Sequence, residues 1–290
     1  MTDIIMKAAE FDKQSSKWRK GKTLRDLAST HFFQPKYDGC HLIVDTGSKA
    51  LAPHAFSRTN EWVRSVEHIE QELLRIAGAG WVFQGEAWVP GWKFPQISGA
   101  YRRHLPQTEL RMVLYDMHRR DDFHDGVDPT PYRERFAALA ALYSGSQTHS
   151  LMLADRYPAD VIVDPVAEAR KLVAKGGYDG LMAADPEAGW TVGRSKAGEL
   201  VKIKPTLSLD LMVDAVIRDV GDKTGRDVWT LVVSYRGVTS KVGSGVPHNE
   251  AAVPSPGQIV EVEAMGLTAD GALREPRFKT IKYDKTEPDA

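Results

Sequence analysis

The stretch 32-FFQPKYDGCHLIVD-45 places a lysine, an aspartate and a glycine between two runs that otherwise read as β-strand. Asp38-Gly39 between β-favouring segments is a standard hairpin signal, so one reading is a plain turn. The other is that Lys36 is a nucleophile. Lys36 and Asp38 stand two apart, so on extended chain they share a face. A lysine amine, with a reference pKa of about 10.4, attacks poorly at neutral pH unless nearby cations or burial depress that value. The choice between the readings rests on what the remainder of the chain supplies.

The chain has 290 residues, which predicts roughly two domains and ample length for a core. Hydrophobic residues make up 42% and charged residues 27%, values of an ordinary globular protein rather than a fibrous or disordered one. No apolar run approaches transmembrane length, and the start MTDIIMKAAEFDKQ lacks the hydrophobic segment of a secretory signal. The expectation is a cytoplasmic protein with no membrane partner. Cys40 stands alone in the sequence, which excludes an internal disulfide framework and a Cys-based zinc cluster. It reads as a small buried hydrophobe rather than a catalytic thiol.

The formal net charge of −1 gives no global signature of polyanion binding, and the segment 206–290 is locally acidic. Binding to a polyanion would therefore run through local clusters. One lies near the start, where Lys13, Lys17, Arg19, Lys20, Lys22 and Arg25 fall within thirteen residues. By itself such a run describes a solvated helix face equally well.

Residues 10–29 read as helical with a basic face. From 32 to 60 the text turns β, through FFQP, CHLIVD and LAPHAFSR. Helical spacing returns at 61-EWVRSVEHIEQELLRIA-77, then at 131–143 and 165–175. Strands are expected at 81-WVFQGEAWV-89, 110-LRMVLYDM-117, 179-DGLMAAD-185 and 199-ELVKIKP-205. After Pro205 the character changes. LMVDAVI, VWTLVVSY, TSKVG, QIVEVEAM and FKTIKY are short strand-like runs parted by Gly, Pro and Asp turns, a pattern suggesting a small barrel of OB type. The boundary falls near Thr206, giving domains 1–205 and 206–290.

Several residues have the chemistry of a site. In 200-LVKIKP-205, Lys202 and Lys204 alternate with Val201 and Ile203, so one face is apolar and the other doubly cationic. Two lysines on a solvated edge strand would look the same. Glu86 lies in an aromatic-rich strand, where a carboxylate needs a hydrogen-bond partner or a metal. Arg58 is a phosphate ligand or a surface arginine. Tyr115 ends an apolar strand and stacks on a base or fills a core. Asp179 before Gly180 binds Mg2+ through oxygen or begins a turn.

In their order these segments resemble the covalent nucleotidyltransferases, specifically the minimal two-domain ATP-dependent DNA ligases of viral and bacterial type. The Lys-x-Asp-Gly motif is matched by 36-KYDG-39, and the Ser-Arg element by 57-SR-58. The acidic motif corresponds to 84-QGE-86 and the base-stacking strand to 112-MVLYDM-117. The Glu-Gly motif corresponds to 179-DGLM-182, with a Gly-Arg-Ser segment at 193–195, and the Lys-x-Lys motif to 202-KIK-204. In the second domain, 241-KVGSGV-246 and 273-LREPRFKTIKYDK-285 look like the glycine turn and the terminal Arg-rich motif. The match runs from about residue 32 to 285 and so covers nearly the whole chain. Three positions depart from the pattern: His41 stands where the family usually has Arg, Asp179 replaces the usual Glu, and Ala184 occupies a position that is often basic.

The resemblance implies an α+β nucleotidyltransferase domain of ATP-grasp-like character, with antiparallel sheets and flanking helices, followed by an all-β OB-fold domain. It implies a DNA ligase that uses ATP and Mg2+ (or Mn2+) to seal 5′-phosphate/3′-hydroxyl nicks in duplex DNA, through lysyl-AMP on Lys36. Lys202, Lys204 and Asp38 would share the catalytic work. Gln34, Arg58, Glu86, Tyr115, Lys202 and Lys204 would hold the nucleotide, and Glu86 and Asp179 the metal. Arg274, Arg277 and Lys282 would reach the triphosphate from the OB domain. Lys20, Lys22, Arg102, Arg103 and His41 are the candidate DNA contacts, and a monomer is expected. The alternatives are an RNA ligase or capping-type nucleotidyltransferase using the same lysine, and an inactive nick- or end-binding module. A plain OB-fold single-strand binder would explain only the last part of the chain.

Overall fold

The computed structural model describes residues 4–221, 225, 227–268 and 270–289. The chain divides into two compact units, Met1–Lys204 and Pro205–Ala290.

Two sheets organise the first unit. One has five strands in the order His54–Phe56, Cys40–Asp45, Trp81–Trp88, Arg111–Arg119 and Leu151–Leu153, all antiparallel but for the last pair. The other has four, in the order Ala9–Glu10, Leu200–Ile203, Tyr178–Ala184 and Phe32–Tyr37. The strands either side of Asp38-Gly39 therefore belong to different sheets. The hairpin reading of that dipeptide fails, because each flanking strand finds its partner far along the chain. Phe32–Tyr37 pairs with Tyr178–Ala184, and Cys40–Asp45 with Trp81–Trp88.

Alternation decides which face of the four-stranded sheet is core. Phe33, Leu181, Ala183, Val201 and Ile203 point one way and pack with Ala169 and Leu172. The helix Pro165–Lys175 covers that face, burying Pro165, Ala169 and Leu172 at helical spacing. It starts cleanly because Asp164 accepts from the Val166 and Ala167 amides and Pro165 takes the first helical position, a cap that contributes about 1 kcal/mol. With this face covered, the opposite one is left to Gln34, Lys36, Met182, Lys202 and Lys204. On the five-stranded sheet, Leu42, Val44, Phe83, Val113 and Leu114 join the largest core with the helix residues Ile69, Leu73 and Ile97.

The segment 10–29 does not form the single helix that its composition predicts. It breaks into turns at Phe11–Lys13 and Leu24–Ser29 around one short helix, Ser16–Arg19. Gly21, at φ 72°, takes a backbone conformation that no helix continues through. The helix Phe94–Tyr101 has only a weak helical pattern and was not anticipated.

The second unit is one five-stranded sheet in the order Val238–Val242, Asp227–Tyr235, Leu207–Val220, Ile259–Ala264 and Arg277–Ile281. A parallel bridge between Ser244 and Arg277 joins the region after one edge strand to the other edge, so the sheet curls toward closure in the OB manner. Its core is its own, with Leu211, Leu231, Val233, Val242, Val260 and Val262 fully buried.

No helix among the described residues is long and apolar enough to cross a membrane.

Candidate active site

Three strands bring the lysines together. Tyr178–Ala184 lies between Phe32–Tyr37 and Leu200–Ile203, with Met182 opposite Gln34 on one side and Lys202 on the other. At the end of this row Asp179 lies between two cations. Lys36 Nζ is 2.8 Å and Lys204 Nζ 2.7 Å from the same Oδ2 of Asp179. Burial by itself would raise this carboxyl, but the charges and hydrogen bonds of Lys36 and Lys204 outweigh it and hold Asp179 below the usual carboxylate range. Gly180 makes the approach possible. At φ 127° it passes so near the neighbouring strand that a Cβ would lie 2.3 Å from the Ile203 carbonyl oxygen. Lys202 projects on the same face and pairs at 3.5 Å with Glu10 Oε1, a partner that sequence reasoning missed.

The five-stranded sheet supplies the opposing wall. Glu86 is half-buried, and burial pushes its carboxyl up to about 7 against the opposing charge of Lys36. The Gly39 amide donates to Glu86, and a Cβ at Gly39 would meet the Ala87 carbonyl oxygen at 2.3 Å. The Asp38 amide donates to the Gly177 carbonyl at 3.0 Å. Asp38-Gly39 is thus a crossover that links the two walls. Asp38 itself is close enough for its charge to act on Glu86.

His41 sits opposite Glu86 in the sheet register. The Tyr115 hydroxyl lies 2.6 Å from His41 Nδ1, and the Tyr101 hydroxyl donates to the His41 carbonyl at 2.8 Å. Burial, followed by the nearby charge of Arg58, drives the His41 imidazole down to about 3. His41 is therefore neutral at physiological pH and cannot act there as a cationic stand-in for arginine. The same neutrality removes the ionic phosphate contact expected of it. Tyr115 takes a second tie at its backbone, where the Tyr132 hydroxyl donates to its carbonyl at 3.1 Å.

Arg58 is exposed on a turn held by Ser57, whose amide donates to the Glu61 carbonyl at 2.8 Å and whose hydroxyl accepts from the amides of Thr59 and Glu61. Its charge reaches both Glu86 and His41. Gln34 is buried, with its amide beside the Tyr132 hydroxyl. Cys40 is half-buried against the core, and burial raises its thiol to about 11, which suits an inert side chain. Lys20, Lys22, Arg102 and Arg103 are exposed, with Lys22 Nζ 4.4 Å above the Trp18 ring. Arg274, Arg277 and Lys282 belong to the second unit. There Lys282 pairs with Glu261 at 2.9 Å and more loosely with Asp210, and Arg277 is exposed on its strand.

Among the described residues, no group of three or more His, Cys, Asp or Glu is arranged to hold a metal. A hard divalent cation that keeps most of its ligands as water and phosphate oxygen needs only one or two carboxylates, and Glu86 meets that demand. Asp179 meets it less well while two ammonium groups occupy its oxygen.

No family model matches the chain. Among curated relatives, a probable DNA ligase of Mycobacterium avium is 39% identical over 106 residues, 35% of this chain and 18% of that protein. A probable DNA ligase of Mycolicibacterium gilvum is 27% identical over 316 residues, 91% of this chain and 58% of that protein. The chain thus spans less than two thirds of either relative. A Lig E DNA ligase, from a study of DNA binding with a minimal scaffold, superposes with a TM-score of 0.74 at 18% identity, covering 97% of this chain and 100% of its own. The fold is that of the DNA ligases. The ATP-dependent DNA ligase of bacteriophage T7, solved in complex with ATP, shares it at a TM-score of 0.57 and 19% identity, covering 96% and 98% of the two chains.

Set in the DNA-ligase fold, the departures at 41, 179 and 184 acquire structural reasons. His41 is locked to Tyr115. The shorter Asp179 still reaches both lysines because Gly180 draws the strands together. Ala184 is buried in an apolar corner with Phe32, Tyr132, Phe136 and Leu200. The cation beside that corner is Arg156, whose guanidinium lies 3.9 Å from the Phe32 ring centroid and 4.6 Å from that of Phe136. Neither Arg156 nor Tyr132 was singled out in the sequence, since a lone Arg in a loop and a Tyr at a helix start carry no motif.

Proposed function

We propose that this protein is an ATP-dependent DNA ligase that seals nicks between a 5′-phosphate and a 3′-hydroxyl in duplex DNA. The observation that carries the reading is the pairing of Lys36 and Lys204 on one oxygen of Asp179, with Glu86 near enough to feel the charge of Lys36 and His41 opposite Glu86 in the sheet, bonded to Tyr115. An amine held in this way is preorganised, and it must give up its proton before it attacks. In the first step the Lys36 nitrogen bonds to the α-phosphorus of ATP, the bond to the β-phosphate oxygen breaks, and pyrophosphate leaves. Lys36 then no longer carries a charge, and Asp179 keeps Lys204 as its remaining close cation. In the second step a 5′-phosphate oxygen of the nick takes the AMP and the N–P bond breaks. In the third the 3′-hydroxyl attacks that 5′-phosphorus and AMP leaves. Lys202 and Lys204 lie on the face where charge develops on phosphate oxygens, and such fixed cations stabilise it without reorganisation.

A divalent cation, held by Glu86 and the nucleotide phosphates, would supply charge neutralisation. Tyr115 would offer its ring to the base. Arg274, Arg277 and Lys282 of the second unit would serve the triphosphate, and Lys20, Lys22, Arg102 and Arg103 the DNA backbone. Nicked duplex is the substrate and a monomer the working form in this reading.

The test is incubation with α-labelled ATP, or GTP in parallel, and Mg2+, followed by denaturing electrophoresis of wild type and Lys36→Ala. Label from ATP that survives denaturation, disappears in Lys36→Ala and is discharged by nicked duplex is the expected result. Label from GTP moves the protein to capping chemistry. No label from either, with nicked DNA still bound, overturns the enzyme reading.

A further inference from the structure

The register between Trp81–Trp88 and Arg111–Arg119 slips at one place. Gln84 pairs with Asp116 and Gly85 with Leu114, which leaves Tyr115 as the extra residue of a β-bulge. A bulge shifts the alternation of its strand by one, so Tyr115 and Asp116 share a face that a regular strand would give to only one of them. That face is the one of Glu86 and His41. The Tyr115 hydroxyl meets His41 there, Asp116 stands opposite Gln84, and His118 follows opposite Val82. Without the shift, Asp116 and His118 would turn toward the apolar core that takes Leu114 and Met117. Gly85 lets the slipped strands close up, since a Cβ there would lie 2.5 Å from the Val113 carbonyl oxygen.

Buried side chains hold the slip in place. Asp116 Oδ1 accepts from the Met117 amide at 2.9 Å, and the Arg135 guanidinium donates to both Asp116 oxygens, at 2.8 and 2.9 Å. His118 ties the bulged strand to its neighbour. Its Nε2 lies 2.8 Å from the Gln84 amide nitrogen and 3.5 Å from Asp116 Oδ2, and its Nδ1 lies 2.8 Å from Asp128 Oδ2. Asp128 is fixed in turn by the Thr130 amide at 2.9 Å. His118 is 1% exposed, with its ring centroid 4.7 Å from that of Trp190, so it has little room to turn. A buried network whose members are bonded in this way holds its strands in one arrangement.

We propose that His118 is a positioning residue, which bridges Asp128 to Gln84 and so fixes the bulge that aims Tyr115 at His41. The inference rests on the proposed adenylyl transfer at Lys36, where Tyr115 offers its ring to the base, and adds the residue that sets the direction of that ring. His118 itself touches no substrate in this reading. A glutamine at 118 can still bond to Gln84 and Asp128, whereas a phenylalanine fills the space and bonds to neither.

The test has one readout without ligand and one with it, each with the melting temperature recorded. In the free full-length chain, the ring-nitrogen NMR shifts of His41, identified by their change in Tyr115→Phe, report the bond between the two. His118→Phe should move them, and His118→Gln should leave them nearer to wild type. In equilibrium binding of AMP well below the melting temperatures, His118→Phe should lose up to about tenfold, the scale of one base stacked on an aromatic ring. The same change made in Tyr115→Ala should cost little more, because His118 acts through Tyr115. A histidine that only supports the sheet would lower the melting temperature while the His41 shifts stay in place, or its loss would add to that of Tyr115→Ala. Either result overturns the inference. Should His118→Phe fail to fold, His118→Gln and Asp128→Asn carry the same comparison at smaller amplitude. His41 shifts that follow His118 in a protein that takes no label from ATP would overturn the ligase reading and leave this one standing, and a labelled protein indifferent to His118 would do the reverse.

Discussion

Asp179 controls the resting charge of the site, since its one oxygen holds both Lys36 and Lys204. Its carboxyl is depressed, so the stability it contributes is present above the ordinary carboxylate value and is lost as the pH falls through the lower folded value. Asp179→Asn keeps the shape and removes the charge. Two ammonium groups are then left close together with no counter-charge between them, and deprotonation of Lys36 becomes easier. The expected outcome is lysyl-AMP formation slowed by on the order of tenfold through lost positioning, with its pH profile displaced toward acid. Single-turnover labelling across a pH series would show this. A slowed rate with an unmoved profile would mean that Asp179 acts only on geometry. The motif 179-DGLM-182 made Asp179 a candidate but not its pairing, because two of the three strands that meet there are more than 140 residues apart in sequence, as the Lys36–Asp179 separation of 143 shows.

Among the elements, the Tyr178–Ala184 strand carries the site, and Gly180 is its narrowest point. A Cβ there would meet backbone on the adjacent strand, and backbone has no flexible end to move aside. Gly180→Ala is expected to lower stability by at least about 2 kcal/mol and to part Asp179 from Lys204, which urea melts together with labelling assays would detect. The helix Glu67–Ala77 offers a test away from the chemistry. Glu70 is buried with its carboxylate accepting from the Ala55 amide at 2.7 Å, and burial raises it to about 7. A raised carboxyl favours the protonated folded form, so this group withdraws stability as the pH rises from about 4.5 to 7. Glu70→Gln should therefore melt higher than wild type at pH 8 and lose that advantage near pH 4.5. Equal differences at both pH values would show that Glu70 does not titrate in this window. Periodicity predicted this helix and the two at Tyr132–Ser144 and Pro165–Lys175, because each buries one stripe against a sheet. It misread 10–29, where a charged run has few apolar positions to bury and a glycine at positive φ interrupts it.

For the whole molecule, a net charge of −1 means that the proposed DNA binding would run through local cations on the surface. Each phosphate contact releases counterions, so the affinity of a nicked duplex should fall steeply with salt. Replacing both Arg102 and Arg103 with Ala should flatten the slope of log K against log salt by about 1.8 if each contacts one phosphate of the duplex. An unchanged slope would remove both from the DNA path. The five strands of Pro205–Ala290 were legible because alternating apolar residues and turn chemistry are local signals, and that sheet buries a core of its own. The candidate lysines, Glu86 and Tyr115 were legible for a related reason, since each sits in a short motif whose order along the chain is itself the signal. Which strands would meet was not. Asp38-Gly39 reads as a hairpin turn and is instead a passage between two sheets, because pairing is decided by distant partners rather than by the dipeptide. The neutral His41 bonded to Tyr115, and the Arg156 guanidinium stacked on Phe32 and Phe136, exist only after remote segments pack. Residue type and order are properties of the chain, whereas burial and the pairing of polar groups arise only when remote segments pack.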